Sequence, residues 1–193
     1  MMIRLFVGLD LPPALAERLA ELAAGLPGAR RIEPENLHLT LRFIGECDEA
    51  TAADLDLALT RIEAAPFPLT LTELGLFGDR RRAHTLWRGL APSPALHQLA
   101  HRIETAVVRL GLPAEPRRFT PHITLARLSS TSPNRLQCAL ALPLPPETLT
   151  VESFTLFQSH LSPRGAQYER LVHYPLNGSL SAPGRLSGAA TIE

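Results

Sequence analysis

Two short strings of the sequence combine the side chains best suited to proton transfer: His38-Leu39-Thr40-Leu41 and His122-Ile123-Thr124-Leu125. Each lies in alternating apolar sequence, which is typical of a half-buried strand. Side chains alternate between the two faces of a strand, so the imidazole and the hydroxyl of each string share one face. One imidazole can take a proton from water while the other gives a proton to a leaving oxygen. The two strings therefore favour chemistry on a phosphate ester, with the histidines as the acid–base pair and the threonines as hydroxyl donors.

The surrounding sequence predicts the elements that position these strings. Capping residues and prolines indicate helix starts at Asp10, Asp48, Ser93 and Ser132. The first three helices are predicted to end near Gly25, Ala64 and Gly111, and the fourth is short. Extended segments are predicted at the N-terminus and at 36–44, 69–77, 84–90, 119–128, 149–159 and 168–175.

The order of these elements predicts an α+β fold. A strand–helix–strand–helix–strand set is followed by a comparable second set, with one histidine string in each, which indicates an internal duplication into two lobes. We expect residues 1–176 to form a single bilobal domain whose lobes bring both strings into one cleft. Gly, Ser, Ala and Pro dominate residues 177–193, so a disordered tail is predicted there.

Composition narrows the classes of function. The 193 residues suffice for one compact domain, and their formal net charge of zero argues against wholesale attraction to long nucleic acid or an anionic membrane. Cys47 and Cys138 have no ligand-like spacing, so reduced thiols in a cytoplasmic protein are expected. Neither a signal peptide nor a membrane-spanning apolar run is evident. The sequence also lacks a Gly-rich phosphate loop and a carboxylate cluster for Mg²⁺, which disfavours ATP-dependent ligation and two-metal chemistry.

With their flanking residues, the two strings resemble the hallmark motifs of the 2H phosphoesterases. The likeness is greatest to the bacterial and archaeal RNA 2′,3′-cyclic phosphodiesterases, formerly called 2′-5′ RNA ligases, and it covers roughly residues 3 to 176. The supporting segments are Arg4–Gly8, Glu35–Glu46, Phe119–Arg127 and Tyr168–Leu171. One His-x-Thr-x string alone is a weak signal, whereas two in matching strand contexts are specific.

The resemblance implies a two-lobed, pseudo-symmetric fold with antiparallel sheets facing a central cleft and helices outside. It also implies hydrolysis of a terminal 2′,3′-cyclic phosphate to a 2′-phosphate, with no metal or cofactor. Carried over to this chain, His38 donates a proton to the departing 3′-oxygen and His122 accepts one from water. Thr40 and Thr124 then donate to the non-bridging phosphoryl oxygens, where charge develops. The residues themselves identify the pair of histidines but leave their roles open.

The resemblance further implies that the residue five positions after each histidine holds the terminal base, here Phe43 and Arg127. Both side chains can stack on a base without reading its identity. Simple alternation places Phe43 with Leu39 and Leu41, so either the strand ends or bulges before Phe43 or this residue belongs to the core. Arg118, just before the second string, is a further candidate for contact with RNA phosphates.

The other histidines and an arginine run have simpler interpretations. His97 and His101 lie one helical turn apart but lack a third ligand, so an exposed helix face is favoured over a metal site. Structural roles are expected for His84, His160 and His173. The run 80–82 is either a solvated turn or a contact with RNA.

The sequence is also compatible with other functions. One is a 2H enzyme acting on a small cyclic nucleotide or an ADP-ribose cyclic phosphate, and another is a protein that binds nucleotide ends without turnover. The reverse 2′-5′ joining reaction needs the same residues and is a further possibility. The expected partners are RNA 3′ ends with a cyclic phosphate or small cyclic nucleotides, bound by a monomer.

Overall fold

The computed structural model describes residues 2–78, 83–129, 131–141, 143–162 and 165–178. Its helices are α1 (Pro13–Glu21), α2 (Glu49–Thr60), α3 (Pro94–Arg109) and α4 (Pro133–Leu140). Its strands are β1 (Ile3–Asp10), β2 (Ala29–Arg31), β3 (His38–Cys47), β4 (Phe67–Phe77), β5 (Thr85–Leu90), β6 (Ile123–Leu128), β7 (Glu147–Val151), β8 (Ser153–Ser162) and β9 (Gly165–Pro175). The predicted arginine turn and residues 179–193 of the predicted tail lie outside these ranges.

Three of the four predicted helix starts are confirmed. The side chains of Asp48, Ser93 and Ser132 each accept a hydrogen bond from a backbone N–H in the first turn of the helix that follows. The first start is wrong, because Pro12 precedes α1 and Asp10 ends β1. Two successive prolines preset the backbone for a helix, so α1 begins without a side-chain cap.

Nine described strands form one antiparallel sheet in the order β7-β4-β5-β6-β3-β1-β8-β9, with β2 paired to β6. We define the first sheet half as β3, β1, β8 and β9, and the second sheet half as β6, β5, β4 and β7. The halves meet at β3 and β6, where Leu39 pairs with Ile123. Both histidine strings therefore lie at the centre of the sheet, one in each half, as the predicted pseudo-symmetry requires.

The sheet halves differ from the two halves of the sequence. Strands β8 and β9, from the C-terminal part of the chain, pair beside β1 in the first sheet half, whereas β4 and β5 join β6 in the second. The two sheet halves therefore do not correspond to the two sets of elements that the sequence predicts, because β4 and β8 each pair with strands of the other set. Long-range pairing, which local patterns do not encode, decides this arrangement.

The predicted strands at 119–128 and 149–159 differ most from the structure. The segment predicted at 119–128 is extended in the sheet only from Ile123, because Pro121 lacks the N–H that a strand residue donates. The segment predicted at 149–159 is divided between β7 and β8 at Glu152. His122 consequently stands one residue before β6, whereas His38 is the first residue of β3.

Aliphatic residues behind the two strings anchor them to one continuous core. Leu39, Leu41, Ile123 and Leu125 are buried and belong to the same cluster as the apolar faces of all four helices. On the opposite side, Gly8 faces Thr40 across β1 and β3, and a Cβ there would come within 2.8 Å of the Leu39 carbonyl oxygen. Glycine therefore permits the close approach of these two strands. No helix in the described ranges has the length and apolar character needed to span a bilayer.

Candidate active site

The two histidine strings run antiparallel to each other across the junction of the sheet halves. Leu39 pairs with Ile123. Continuing this register by one residue in each direction places His38 opposite Thr124 and Thr40 opposite His122. Directly opposed residues share a face of the sheet, so all four polar side chains project to the same side. Each imidazole thus has the hydroxyl of the other string as its cross-strand neighbour.

Both imidazoles are oriented in the same way by the backbone. The Nδ1 atom of His38 lies 2.8 Å from the Asn36 carbonyl oxygen, and Nδ1 of His122 lies 2.7 Å from the Thr120 carbonyl oxygen. A carbonyl can only accept, so Nδ1 carries the proton in each ring and donates it. The Nε2 atom of each ring is left to exchange a proton. In His38 it lies 3.1 Å from the Thr40 hydroxyl.

Aromatic rings enclose His38. The centroids of Phe6 and Tyr168 both lie 4.8 Å from its imidazole, Tyr168 in an edge-on arrangement, and Phe157 lies at 5.8 Å. This burial lowers the pKa of His38 from its ordinary 6.5 to about 4, because an imidazolium loses its hydration there. The Asn36 carbonyl and the Asp10 carboxylate oppose the shift in pKa without cancelling it.

His122 has a comparable but more open environment. Phe77 meets its ring at 4.7 Å with perpendicular planes, and Trp87 lies at 6.3 Å. Burial lowers the pKa of His122, and the Arg127 guanidinium lowers it further, against the effect of the Thr120 carbonyl. Both imidazoles are therefore neutral at pH 7 in the free protein.

Asp10 distinguishes the surroundings of His38 from those of His122. It is paired with His38 across β1 and β3, and its carboxylate accepts from the Thr155 hydroxyl and from Nε of Arg170, both at 2.6 Å. Gly89 occupies the matching position opposite His122, because Arg88 pairs with Ile123 and the antiparallel register continues by one residue. Only His38 thus has a carboxylate as its cross-strand neighbour. Sequence reasoning missed this role because it assigned Asp10 to a helix cap.

A β-bulge follows each threonine and brings a further predicted residue onto the histidine face. In β3, Thr40 and Arg42 pair with consecutive residues of β1, so Leu41 is the extra residue. In β6, Thr124 and Ala126 likewise pair with consecutive residues of β5, so Leu125 is the extra residue. Such a bulge reverses the alternation of faces beyond it. Phe43 and Arg127 therefore project to the side of the two histidines.

The surroundings of these two residues agree with that placement. Phe43 is 47% exposed and is thus not a core residue. Arg127 is also exposed, and its Nη1 donates to the Thr85 hydroxyl at 2.9 Å. The bulge was one of the alternatives that the sequence left open for Phe43.

A cleft of about 740 Å³ opens on this side of the sheet. Thr40, Phe43, Arg118 and His122 line it. Among the other predicted site residues, His38, Thr124 and Arg127 share the face of the sheet but are not part of this lining. The cleft thus joins the His122 side of the site to a wall built by α3 and residues 113–120.

The remaining histidines divide between the cleft and the outer surface. His97 and His101 lie on an exposed face of α3, as predicted, and that face is part of the cleft wall, as is His84. The Nδ1 atom of His84 lies 3.0 Å from the Thr85 hydroxyl, the hydroxyl to which Arg127 donates.

His160 and His173 lie on the first sheet half. His160 pairs with Glu169 at 3.0 Å, and His173 lies 2.9 Å from the Thr155 hydroxyl. Within the part of the chain that the structure describes, no three His, Cys, Asp or Glu side chains are grouped so that they could hold a metal ion.

Comparisons with known proteins agree on one family. The family model described as the 2′-5′ RNA ligase superfamily matches residues 11–162. The RNA 2′,3′-cyclic phosphodiesterase of Escherichia coli K12 is 32% identical over 181 residues, which cover 90% of this chain and 96% of that protein.

Solved structures show the same likeness. Escherichia coli LigT complexed with 3′-AMP has a TM-score of 0.74 and 31% identity, covering 91% of this chain and 99% of that chain. Protein TT0787 of Thermus thermophilus has a TM-score of 0.77 and 28% identity, with the same coverage.

Proposed function

The chain belongs to the 2′-5′ RNA ligase superfamily, and from this premise we propose that it hydrolyses the terminal 2′,3′-cyclic phosphate of RNA to a 2′-phosphate. The observation that carries the proposal is that the backbone orients both imidazoles in the same way. Each donates Nδ1–H to the carbonyl two residues earlier, which leaves Nε2 to exchange a proton on the common face of the sheet. One reaction that needs two such groups is the attack of water on a phosphodiester with departure of a ribose oxygen.

The proposed reaction assigns a different role to each histidine. His122 takes a proton from water as the water oxygen bonds to phosphorus. His38 gives a proton to the ribose 3′-oxygen as the bond between that oxygen and phosphorus breaks. The product carries a 2′-phosphate and a free 3′-hydroxyl, and one further proton transfer restores the two imidazoles.

The charges beside the two rings support this assignment. The Asp10 carboxylate, opposite His38, favours the imidazolium that a proton donor requires. The Arg127 guanidinium disfavours an imidazolium at His122, as a proton acceptor requires. Thr40 and Thr124, opposite the partner histidines, are suited to donate to the non-bridging oxygens as negative charge grows there.

The anionic substrate supplies the remaining stabilisation of the imidazolium. His38 in the free protein has a pKa of about 4, too low for it to be charged at pH 7. A cyclic phosphate within hydrogen-bond distance places a negative charge beside the ring and raises its pKa. Substrate binding and protonation of His38 are therefore coupled in this mechanism.

This coupling predicts different pH profiles for kcat/KM and kcat. The rate falls at low pH when His122 is protonated and at high pH when His38 is deprotonated, so both profiles are bell-shaped. Because the pKa values of both histidines are lowered in the free protein, the kcat/KM profile should have its maximum below pH 6.5. The descending limb of kcat, which reports the complex, should lie at higher pH. Steady-state kinetics from pH 4 to 9 measure both profiles, and coincident descending limbs contradict the coupling.

Phe43 is proposed to stack on the terminal base, and Arg127, which lies on the other side of the two histidines along the antiparallel strands, is proposed as a second contact with the substrate. Replacing Phe43 by alanine should raise KM roughly 5- to 100-fold, the range for removing one ring that stacks on a base. Replacing it by tryptophan keeps an aromatic face and should leave KM near the wild-type value. Because the ring does not touch the phosphate, kcat should change little in both variants. A loss confined to kcat in Phe43→Ala contradicts a role in base binding.

Product analysis tests the proposed function most directly. An oligoribonucleotide ending in a 2′,3′-cyclic phosphate is incubated with the protein and excess EDTA, and the product is identified by mass and by its resistance to an enzyme specific for 3′-phosphates. We expect turnover to a 2′-phosphate. Activity that is lost with EDTA and restored by a divalent ion contradicts the metal-independent mechanism, and tight binding without turnover favours a protein that only holds RNA ends.

The partners and setting follow from the same proposal. The substrates are RNA 3′ ends with a cyclic phosphate, the residues that form the site come from one chain, and a monomer acting in the cytoplasm is sufficient. The same site can also join RNA ends if the 5′-hydroxyl of a second strand replaces water: its oxygen bonds to phosphorus, the bond from phosphorus to the 3′-oxygen breaks, and a 2′-5′ linkage with a free 3′-hydroxyl results.

A further inference from the structure

We propose that the part of the cleft between α3 and residues 113–120 binds the nucleotide preceding the RNA terminus. We call it the second-nucleotide subsite and define it by His97, His101, Arg118 and Phe119. The inference rests on the proposed function and extends it, because it assigns residues of this chain to the RNA strand beyond its terminal nucleotide.

The cleft extends beyond the place of the terminal base. Its volume is about 740 Å³, within the range of roughly 300–1,000 Å³ for small-ligand pockets, and it continues from Thr40, Phe43 and His122 to the wall of α3. With the terminal base on Phe43, the space toward α3 is open to the next residue of the strand.

The side chains of the subsite have the chemistry that binds single-stranded RNA. Phe119 is half-buried, and its ring meets that of His97 at 5.4 Å in an edge-to-face arrangement. Arg118 is exposed, and the described residues give its guanidinium no carboxylate partner. Glu115, on the same segment, is paired with Arg117 at 2.8 Å. A ring beside an unpaired positive charge provides a stacking surface and a phosphate contact.

The wall that carries Arg118 and Phe119 is held in place before any ligand binds. Arg42 is only 8% exposed and donates to the Glu104 carboxylate of α3 and to the backbone carbonyls of Phe43 and Pro113. The Glu115 N–H donates to the same Glu104 at 2.9 Å. Arg42 thus ties β3, α3 and the 113–115 segment together beside Phe43. Because this wall is already ordered, less conformational entropy is lost when a ligand binds to it.

A comparison of two substrates tests the subsite. One is a trinucleotide ending in a 2′,3′-cyclic phosphate, and the other is the 2′,3′-cyclic mononucleotide with the same terminal base. The measured quantity is the ratio of their kcat/KM values. For the wild-type protein we expect a ratio of roughly 5 to 100 in favour of the trinucleotide, the contribution of one stacked base.

Three variants locate the source of this preference. Phe119→Leu keeps the apolar packing but removes the ring, and Arg118→Gln removes the charge, so each should lower the ratio roughly tenfold or to near one. Arg118→Gln should also reduce the salt dependence of trinucleotide binding by the amount of about one phosphate contact. Arg109→Gln, an exposed change on α3 outside the cleft lining, is the matched control and should keep the wild-type ratio.

The outcomes separate this inference from the proposed function. If neither substrate is hydrolysed, the proposed function fails. If both are hydrolysed with equal kcat/KM by the wild-type protein, or if the two subsite variants keep the wild-type ratio, the function stands and the subsite is refuted.

Discussion

Replacing either motif histidine by glutamine is expected to lower kcat for a cyclic-phosphate oligonucleotide by about 10²–10⁴-fold. Glutamine is polar and similar in reach to histidine, but it cannot accept or release a proton near neutral pH. At position 122 the water loses its proton acceptor, and at position 38 the 3′-oxygen must depart as an alkoxide. Single-turnover rates at saturating substrate measure the effect on the chemical step.

Control variants and thermal unfolding show whether the loss of activity comes from the missing imidazole or from misfolding. His160→Gln changes an exposed histidine paired with Glu169 on the first sheet half, away from the motif face, and should retain wild-type activity. Thr40→Ala and Thr124→Ala each remove one donor to phosphate, so their losses should be smaller than those of the histidine variants. Thermal unfolding establishes that the variants are folded. Near-full activity in His38→Gln contradicts the two-histidine mechanism.

The features that the sequence predicts well depend on neighbours in the chain. Asp48, Ser93 and Ser132 cap helices because each bonds to a backbone N–H three residues later. The two histidine strings are likewise predicted as strands because apolar and polar residues alternate within each of them. Within each string the histidine and the threonine share a face because of their spacing. The pairing of Leu39 with Ile123, which places the two strings side by side in one sheet, joins distant segments.

Features that depend on distant partners could not be predicted in the same way. Asp10 has the local signature of a cap, yet its carboxylate bonds to Thr155 and Arg170 near the other end of the chain. The strand exchange that brings β8 next to β1 creates these contacts, and no short window of sequence contains it.

The bulges are an intermediate case. Alternation assigns Phe43 to the core, and only the pairing of β3 with β1 shows the extra residue that turns its ring outward. A resemblance to known motifs indicated the base-binding role, whereas the physical pattern alone favoured the opposite face. The equivalent bulge before Arg127 arises from pairing with β5. The orientations of Phe43 and Arg127 are therefore determined by the neighbouring strands and not by the two strings alone.

The direction of proton transfer can be tested with a better leaving group. In a cyclic phosphate whose 3′-bridging oxygen is replaced by sulfur, the bond from phosphorus to sulfur breaks to give a thiolate, which departs without protonation. If His38 is the donor, His38→Gln should act on this substrate at a rate within about tenfold of the wild-type protein, recovering most of a 10²–10⁴-fold loss. His122→Gln should remain as impaired as on the oxygen substrate, because water must still lose a proton.

The sulfur substrate separates the two roles, which the features that the histidines share do not. Both donate Nδ1–H to a carbonyl, both are packed against aromatic rings and both have lowered pKa values, so loss of activity in the variants identifies the pair but not the order. A thiol-reactive chromophore follows release of the 3′-thiolate directly. Recovery of His122→Gln in place of His38→Gln reverses the assignment and makes Asp10 the neighbour of the proton acceptor. A 3′-phosphate product from the oxygen substrate requires instead that the nucleotide lie the other way round, with its 2′-oxygen beside His38.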